Sequence, residues 1–97
     1  MTLDQRRQTK QALMQYRTRG FRHSLSGRKW AAAIDRTVRY YDAADPLRAQ
    51  LLRVRYFEGR TIADTQEQLN IGYSTYQKAN SDVLSTLAIH AAHDGLL

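Results

Sequence analysis

Apolar residues recur at helical spacing through most of the chain. The clearest stripe is Trp30, Ile34, Val38 and Tyr41 or Asp42, with Ala31 and Ala33 beside it, which predicts a helix from about Arg28 to Ala43. Asp45-Pro46 then supplies an N-cap followed by proline at the first helical position. Leu47, Leu51 and Val54 form the inner face of the helix that starts there. Tyr56 and Phe57 crowd its end, and Gly59 can stop it in a left-handed conformation. Residues 3–19 can also form a helix, but a poorly amphipathic one. Its only apolar residues are Leu3, Ala12, Leu13, Met14 and Tyr16, and Asp4 to Gln11 is entirely polar, so its first half is expected to fray or project before Gly20 ends it. Phe21 to Gly27 reads as a loop anchored by Phe21 and Leu25.

The stretch from Thr61 to Asn80 has a sharper grammar. Thr61 offers an N-cap hydroxyl to a short helix, Ile62 to Leu69, with Asp64 and Glu67 toward its positive end. Asn70 tolerates positive φ and suits a turn; Ile71 follows as an apolar plug. Gly72-Tyr73-Ser74-Thr75 opens a second helix whose apolar face is Tyr76, Ala79, Val83 and Leu87. The opposite face of its first turns carries Tyr73, Ser74, Gln77 and Lys78. Helix, three-residue turn, helix is the pattern of a helix-turn-helix, in which those four side chains are free to enter a major groove. The last helix runs on through Ala91, and a second seam of Leu84, Ala88 and Ala91 is left for the N-terminal helices or for a second copy of the chain. The expectation is an all-α fold, a small helical domain of about five helices. One domain spans residues 1–97: a basic N-terminal helix or arm and loop over 1–27, and a helical core over 28–97 with the helix-turn-helix at 61–80.

Composition adds a partner to this picture. The 97 residues carry a formal charge of +6 and no cysteine, which excludes disulfides and cysteine-based zinc sites. The positive charge is concentrated early. Arg6, Arg7, Lys10, Arg17, Arg19, Arg22, Arg28 and Lys29 face Asp4 alone in residues 1–30, whereas residues 61–97 hold only Lys78 against Asp64, Glu67, Asp82 and Asp94. Such a balance favours a polyanion, above all double-stranded DNA. The expected division of labour gives phosphate contacts to Arg6, Arg7, Lys10, Arg17, Arg19, Arg22, Arg28, Lys29 and Arg60. Base reading falls to Tyr73, Ser74, Gln77 and Lys78. Arg48, Arg53 and Arg55 can point outward to phosphates or pair with Asp35, Asp42, Asp45 or Glu58.

The runs LRVRYFEGRT and QEQLNIGYSTY resemble the C-terminal DNA-binding region of bacterial sigma factors (region 4), and more closely that region as reused in the ArpU/RinA group of phage late-gene transcriptional regulators. Leu52, Arg53, Arg55, Tyr56, Phe57, Glu58, Gly59 and Thr61 match the first half of the pattern; Leu69, Asn70, Ile71, Thr75 and Tyr76 match the second. The resemblance implies a sequence-specific DNA-binding transcriptional regulator, phage-encoded or prophage-derived, acting in the cytoplasm of a bacterial host. It places Tyr73, Ser74, Gln77 and Lys78 on the recognition surface. Two alternatives go with it: a sigma-like module that binds RNA polymerase, or a small DNA-packaging (terminase small) subunit. A homodimer reading paired half-sites is a further expectation.

Catalysis finds little support. His90 and His93 stand near Asp94 without a further ligand at a familiar spacing, so no metal is expected. The serines lack a nucleophile elbow and the glycines form no phosphate loop, so neither an enzyme nor a cofactor is expected. No apolar run reaches membrane-span length, and no signal-peptide core is evident, so no membrane is expected.

Overall fold

Four of the five helices begin on a side chain that accepts an otherwise free amide, an arrangement that contributes roughly 1 kcal/mol per cap. In the computed structural model, which describes residues 1–97, α1 spans Leu3–Gln15 and starts with a reciprocal box. Thr2 Oγ1 accepts from the Gln5 amide at 3.1 Å while Gln5 Oε1 accepts from the Thr2 amide at 3.0 Å. Ser24 caps α2 (Leu25–Ala44) and Asp45 caps α3 (Pro46–Leu51), with Pro46 at the first position. Thr61 caps α4 (Ile62–Leu69), accepting from Asp64 at 3.0 Å. The last helix, α5 (Tyr73–His93), starts on Gly72 without a side-chain bond. The fold is all-helical.

Between α3 and α4 the backbone widens. Residues Leu52–Phe57 form a π-helical turn, closed by the Glu58 amide donating to the Arg53 carbonyl at 2.8 Å. Such turns are rare and often mark functional positions. Gly59 then breaks the helix at φ +73°, and Asn70 makes the left-handed corner after α4 at φ +55°. The α4–α5 joint is three residues long, Asn70–Gly72, as the sequence predicts.

The core is a cluster to which α1 gives Leu13, α2 gives Ile34 and Val38, α3 and its π extension give Leu51 and Leu52, and α5 gives Val83, Leu84 and Leu87. All but Val38 are essentially inaccessible, and burying each such aliphatic side chain contributes about 2 kcal/mol. At about 1.5 Å per residue, the 21-residue α5 is roughly 32 Å long. It serves as the strut on which α1, α2 and α3 all pack. No helix is long and apolar enough to cross a membrane.

Four expectations need correction. The first half of α1 neither frays nor projects: the capping box secures it, and Thr9, Ala12 and Leu13 are buried. Thr9 can be buried because its hydroxyl donates to the Gln5 carbonyl at 2.7 Å. The helix ends at Gln15 rather than Arg19, because the chain tightens into three-residue turns, the Tyr16 amide donating to the Leu13 carbonyl at 3.2 Å and the Thr18 amide to the Gln15 carbonyl at 2.8 Å. The Tyr16 ring stacks on Phe57 (centroids 4.4 Å) and its hydroxyl donates to Asp35 at 2.7 Å. The loop predicted over 21–27 is a single 3₁₀ turn, Phe21–His23, and α2 starts three residues early at Leu25. Leu25 is 69% exposed and anchors nothing. The anchor is Gly27, where a Cβ would lie 1.6 Å from the Phe21 carbonyl oxygen, so only glycine lets this corner close.

Candidate nucleic-acid interface

The first two turns of α5 sort cleanly by face. Tyr76 and Ala79 are buried; Tyr73 is 55% exposed, and Ser74, Gln77 and Lys78 are exposed with it. The inward face is pinned from the π turn, where the Tyr56 hydroxyl donates to Asn80 Oδ1. Burial in this pocket pushes the Tyr56 phenol well above its ordinary value, so it remains a neutral donor. Thr65 occupies the buried position of α4 facing this corner and sends its hydroxyl to the Thr61 carbonyl at 2.8 Å. The four predicted base-reading residues therefore share one accessible surface on a helix that is locked from behind.

Beside this surface lies a cleft of about 220 Å³ between α1, the π turn and the start of α5. Arg6 and Lys10, one helical turn apart, line it from α1; Arg55 lines it from the π turn, and Tyr73 and Gln77 from α5. No carboxylate contributes to its lining, and none of the three cations has a carboxylate within 4.0 Å. Arg55 is held in place: Nη1 donates to the Arg60 carbonyl at 2.8 Å, and the guanidinium lies 5.5 Å from the Tyr56 ring. Its Nε is buried without a partner.

The remaining basic residues are dispersed. The Arg17 guanidinium lies against Gly59, whose φ of +73° is what calls for glycine there. Arg22 sits 4.5 Å over the Tyr16 ring. There the phenol is pushed up to about 12, first by burial and then by its bond to Asp35. Arg7 is exposed and only 4.0 Å from Asp4, while Arg19 is exposed in the turn after α1. Arg28 and Lys29 stand exposed at the start of α2. That end packs against the other flank of α1, around a hollow lined by Gln8, Gln11, Phe21 and Trp30. Arg60 is set among acids, 3.5 Å from Glu58 and sharing a surface with Asp64 and Glu67. Of the nine predicted phosphate-binding residues, the fold brings Arg6 and Lys10 to the α5 surface.

Three other arginines are consumed internally. Arg48 donates to Asp45 at 2.6 Å and through Nε to Asp82 at 3.1 Å, tying the start of α3 to α5. Arg53 forms a two-pronged pair with Asp42, both bonds 2.7 Å, which holds that carboxyl below its usual range. Arg36 reaches Asp94 at 2.9 Å. Asp45 and Asp42 were legible as partners; Asp82, 34 residues along the chain, was not. Of the histidine group, His90 Nδ1 lies 2.9 Å from Thr37 Oγ1, whose own proton goes to the Ala33 carbonyl at 2.8 Å. With Asp94 occupied by Arg36, these residues serve packing between α2 and the end of α5. Of Arg48, Arg53 and Arg55, all left open between phosphate and carboxylate by the sequence, Arg55 is the one without an acidic partner; it sits on the π turn.

Against protein-family models, curated protein sequences and solved structures, this chain has no match.

Proposed function

We propose that this protein is a sequence-specific DNA-binding transcriptional regulator, of the kind that the ArpU/RinA resemblance implies. The observation that carries the reading is the start of α5. Tyr73, Ser74, Gln77 and Lys78 stand exposed on one face after a three-residue joint, beside the unpaired cations Arg6 and Lys10. An exposed helix of this kind can place polar side chains against base edges, Gln77 to adenine and Lys78 to guanine being the pairings chemistry favours. Flanking cations then supply phosphate contacts, which carry affinity and orientation but no sequence information.

The test is a titration of the full chain against the DNA upstream of its own coding sequence and against a scrambled duplex, at two salt concentrations. A preference that survives the higher salt is expected. Replacing Gln77 and Lys78 with alanine should remove about 1–3 kcal/mol of discrimination while leaving binding to the scrambled duplex nearly unchanged. Equal binding to both duplexes that disappears with salt would reject the regulator reading.

One observation favours a second reading, a sigma-like module that docks on RNA polymerase. Asp64 and Glu67 project from the exposed side of α4, a surface suited to a basic protein rather than to DNA. Co-purification with polymerase that is lost on charge reversal of these two acids would separate it from the first.

A further inference from the structure

We infer that the cleft between α1, the π turn and α5 is a clamp for a single backbone phosphate of duplex DNA, with Arg55, Arg6 and Lys10 as its ligands. The inference rests on the DNA-binding reading above and adds to it a site, a residue and a geometry. Three cationic side chains line one cleft that contains no acid. Like charges along one cleft repel one another, and an anion between them reverses the sign of that interaction. Elsewhere in the molecule the fold places carboxylates on its clustered arginines: Asp45 and Asp82 on Arg48, Asp42 on Arg53, Asp94 on Arg36. Here it places none.

Arg55 is built for the role. One edge of its guanidinium is fixed by the Arg60 carbonyl and its plane is backed by Tyr56, so little conformational freedom is lost when a tetrahedral oxyanion arrives. Its position depends on the widened backbone of Leu52–Phe57. The lip of the cleft identifies the source of the phosphate. Tyr73 and Gln77 line it and also belong to the exposed base-reading face, so an anion seated there belongs to a strand whose bases pass along α5. One fixed phosphate sets the register at which that helix meets the groove.

The experiment uses the full chain, its upstream duplex, and a set of duplexes each carrying one neutral methylphosphonate linkage. Arg6→Gln and Lys10→Gln should each lower the slope of log affinity against log salt by about 1. The double variant should lower it no further, because both residues hold the same phosphate. One methylphosphonate position should weaken wild-type binding several-fold and leave Lys10→Gln unaffected. Melting curves matching wild type are expected for both variants, while Arg55→Lys, which keeps the charge but loses the fork, should lie between wild type and Lys10→Gln. Additive slope losses with no shared linkage would overturn the clamp and leave the DNA reading standing. Binding of inorganic phosphate in the cleft with unchanged duplex slopes would also overturn it, in favour of a free-anion site. Failure of the wild-type chain to bind any duplex would overturn both.

Discussion

Arg36, Arg48 and Arg53 from the middle of the chain and Arg6 and Lys10 from its first helix differ in one respect: the fold has used up the former three. Arg36, Arg48 and Arg53 each end on a carboxylate of another element or of their own N-cap. Arg6 and Lys10 end on none and look into a cleft beside α5. A formal charge of +6 is thus a poor map of where an anion would be felt. The paired group contributes structure with little external field, and the unpaired group contributes field with little structure. Comparing the two groups by mutation separates these roles.

The largest effect is expected at Arg48, whose side chain is only 17% exposed while it holds both Asp45 and Asp82. Arg48→Ala leaves two carboxylates without their partner and should cost about 2 kcal/mol of stability, less than a fully buried pair would, read by urea unfolding. DNA affinity of the folded fraction should not change. Arg53→Gln breaks a pair that is largely open to solvent, so a clearly smaller loss than at Arg48 is expected, shrinking further in high salt. A larger loss there would mean that the paired group is not uniform. The smallest effect concerns Arg36 indirectly. Burial, and then the nearby Arg36 guanidinium, hold His90 below the ordinary histidine value of 6.5. The unfolded chain therefore binds a proton before the folded one does, and this contribution to stability is present above pH 6.5 and lost as pH falls through the folded value. His90→Gln should flatten the midpoint of thermal unfolding over that acid range; an unchanged slope would remove His90 from the argument.

Much of the fold was readable from local signals. Asp45-Pro46, the Thr61 cap, Asn70 and the opening of α5 at Gly72 all fall where the sequence places them, because each depends on a backbone preference or a bond within a few residues. The failures share the opposite property. Tyr16, where α1 stops early, meets Phe57 and Asp35, partners that no window around residue 16 contains. Leu25 points outward because Gly27 must touch the Phe21 carbonyl, so an apolar residue became a surface one for a reason held by its neighbour. Thr9 belongs to the polar run Asp4 to Gln11, yet a hydroxyl that bonds back to its own helix is buried at little cost. For the candidate site, the exposed face of α5 was legible from helical period. The meeting of that face with Arg6, Lys10 and Arg55 was not, since it depends on how α1 docks and on a π turn that residue type does not announce.

The docking of α1 on α5 also has a temporal side. A 13-residue helix this polar is marginal by itself in water, and its principal packing partner is the final helix of the chain. Its packing on α5 is a contact between elements far apart in sequence, whereas α2 and α3 pack as neighbours. Closure of the cleft therefore belongs to the slower class of folding events, in which a long loop must close before the contact is made.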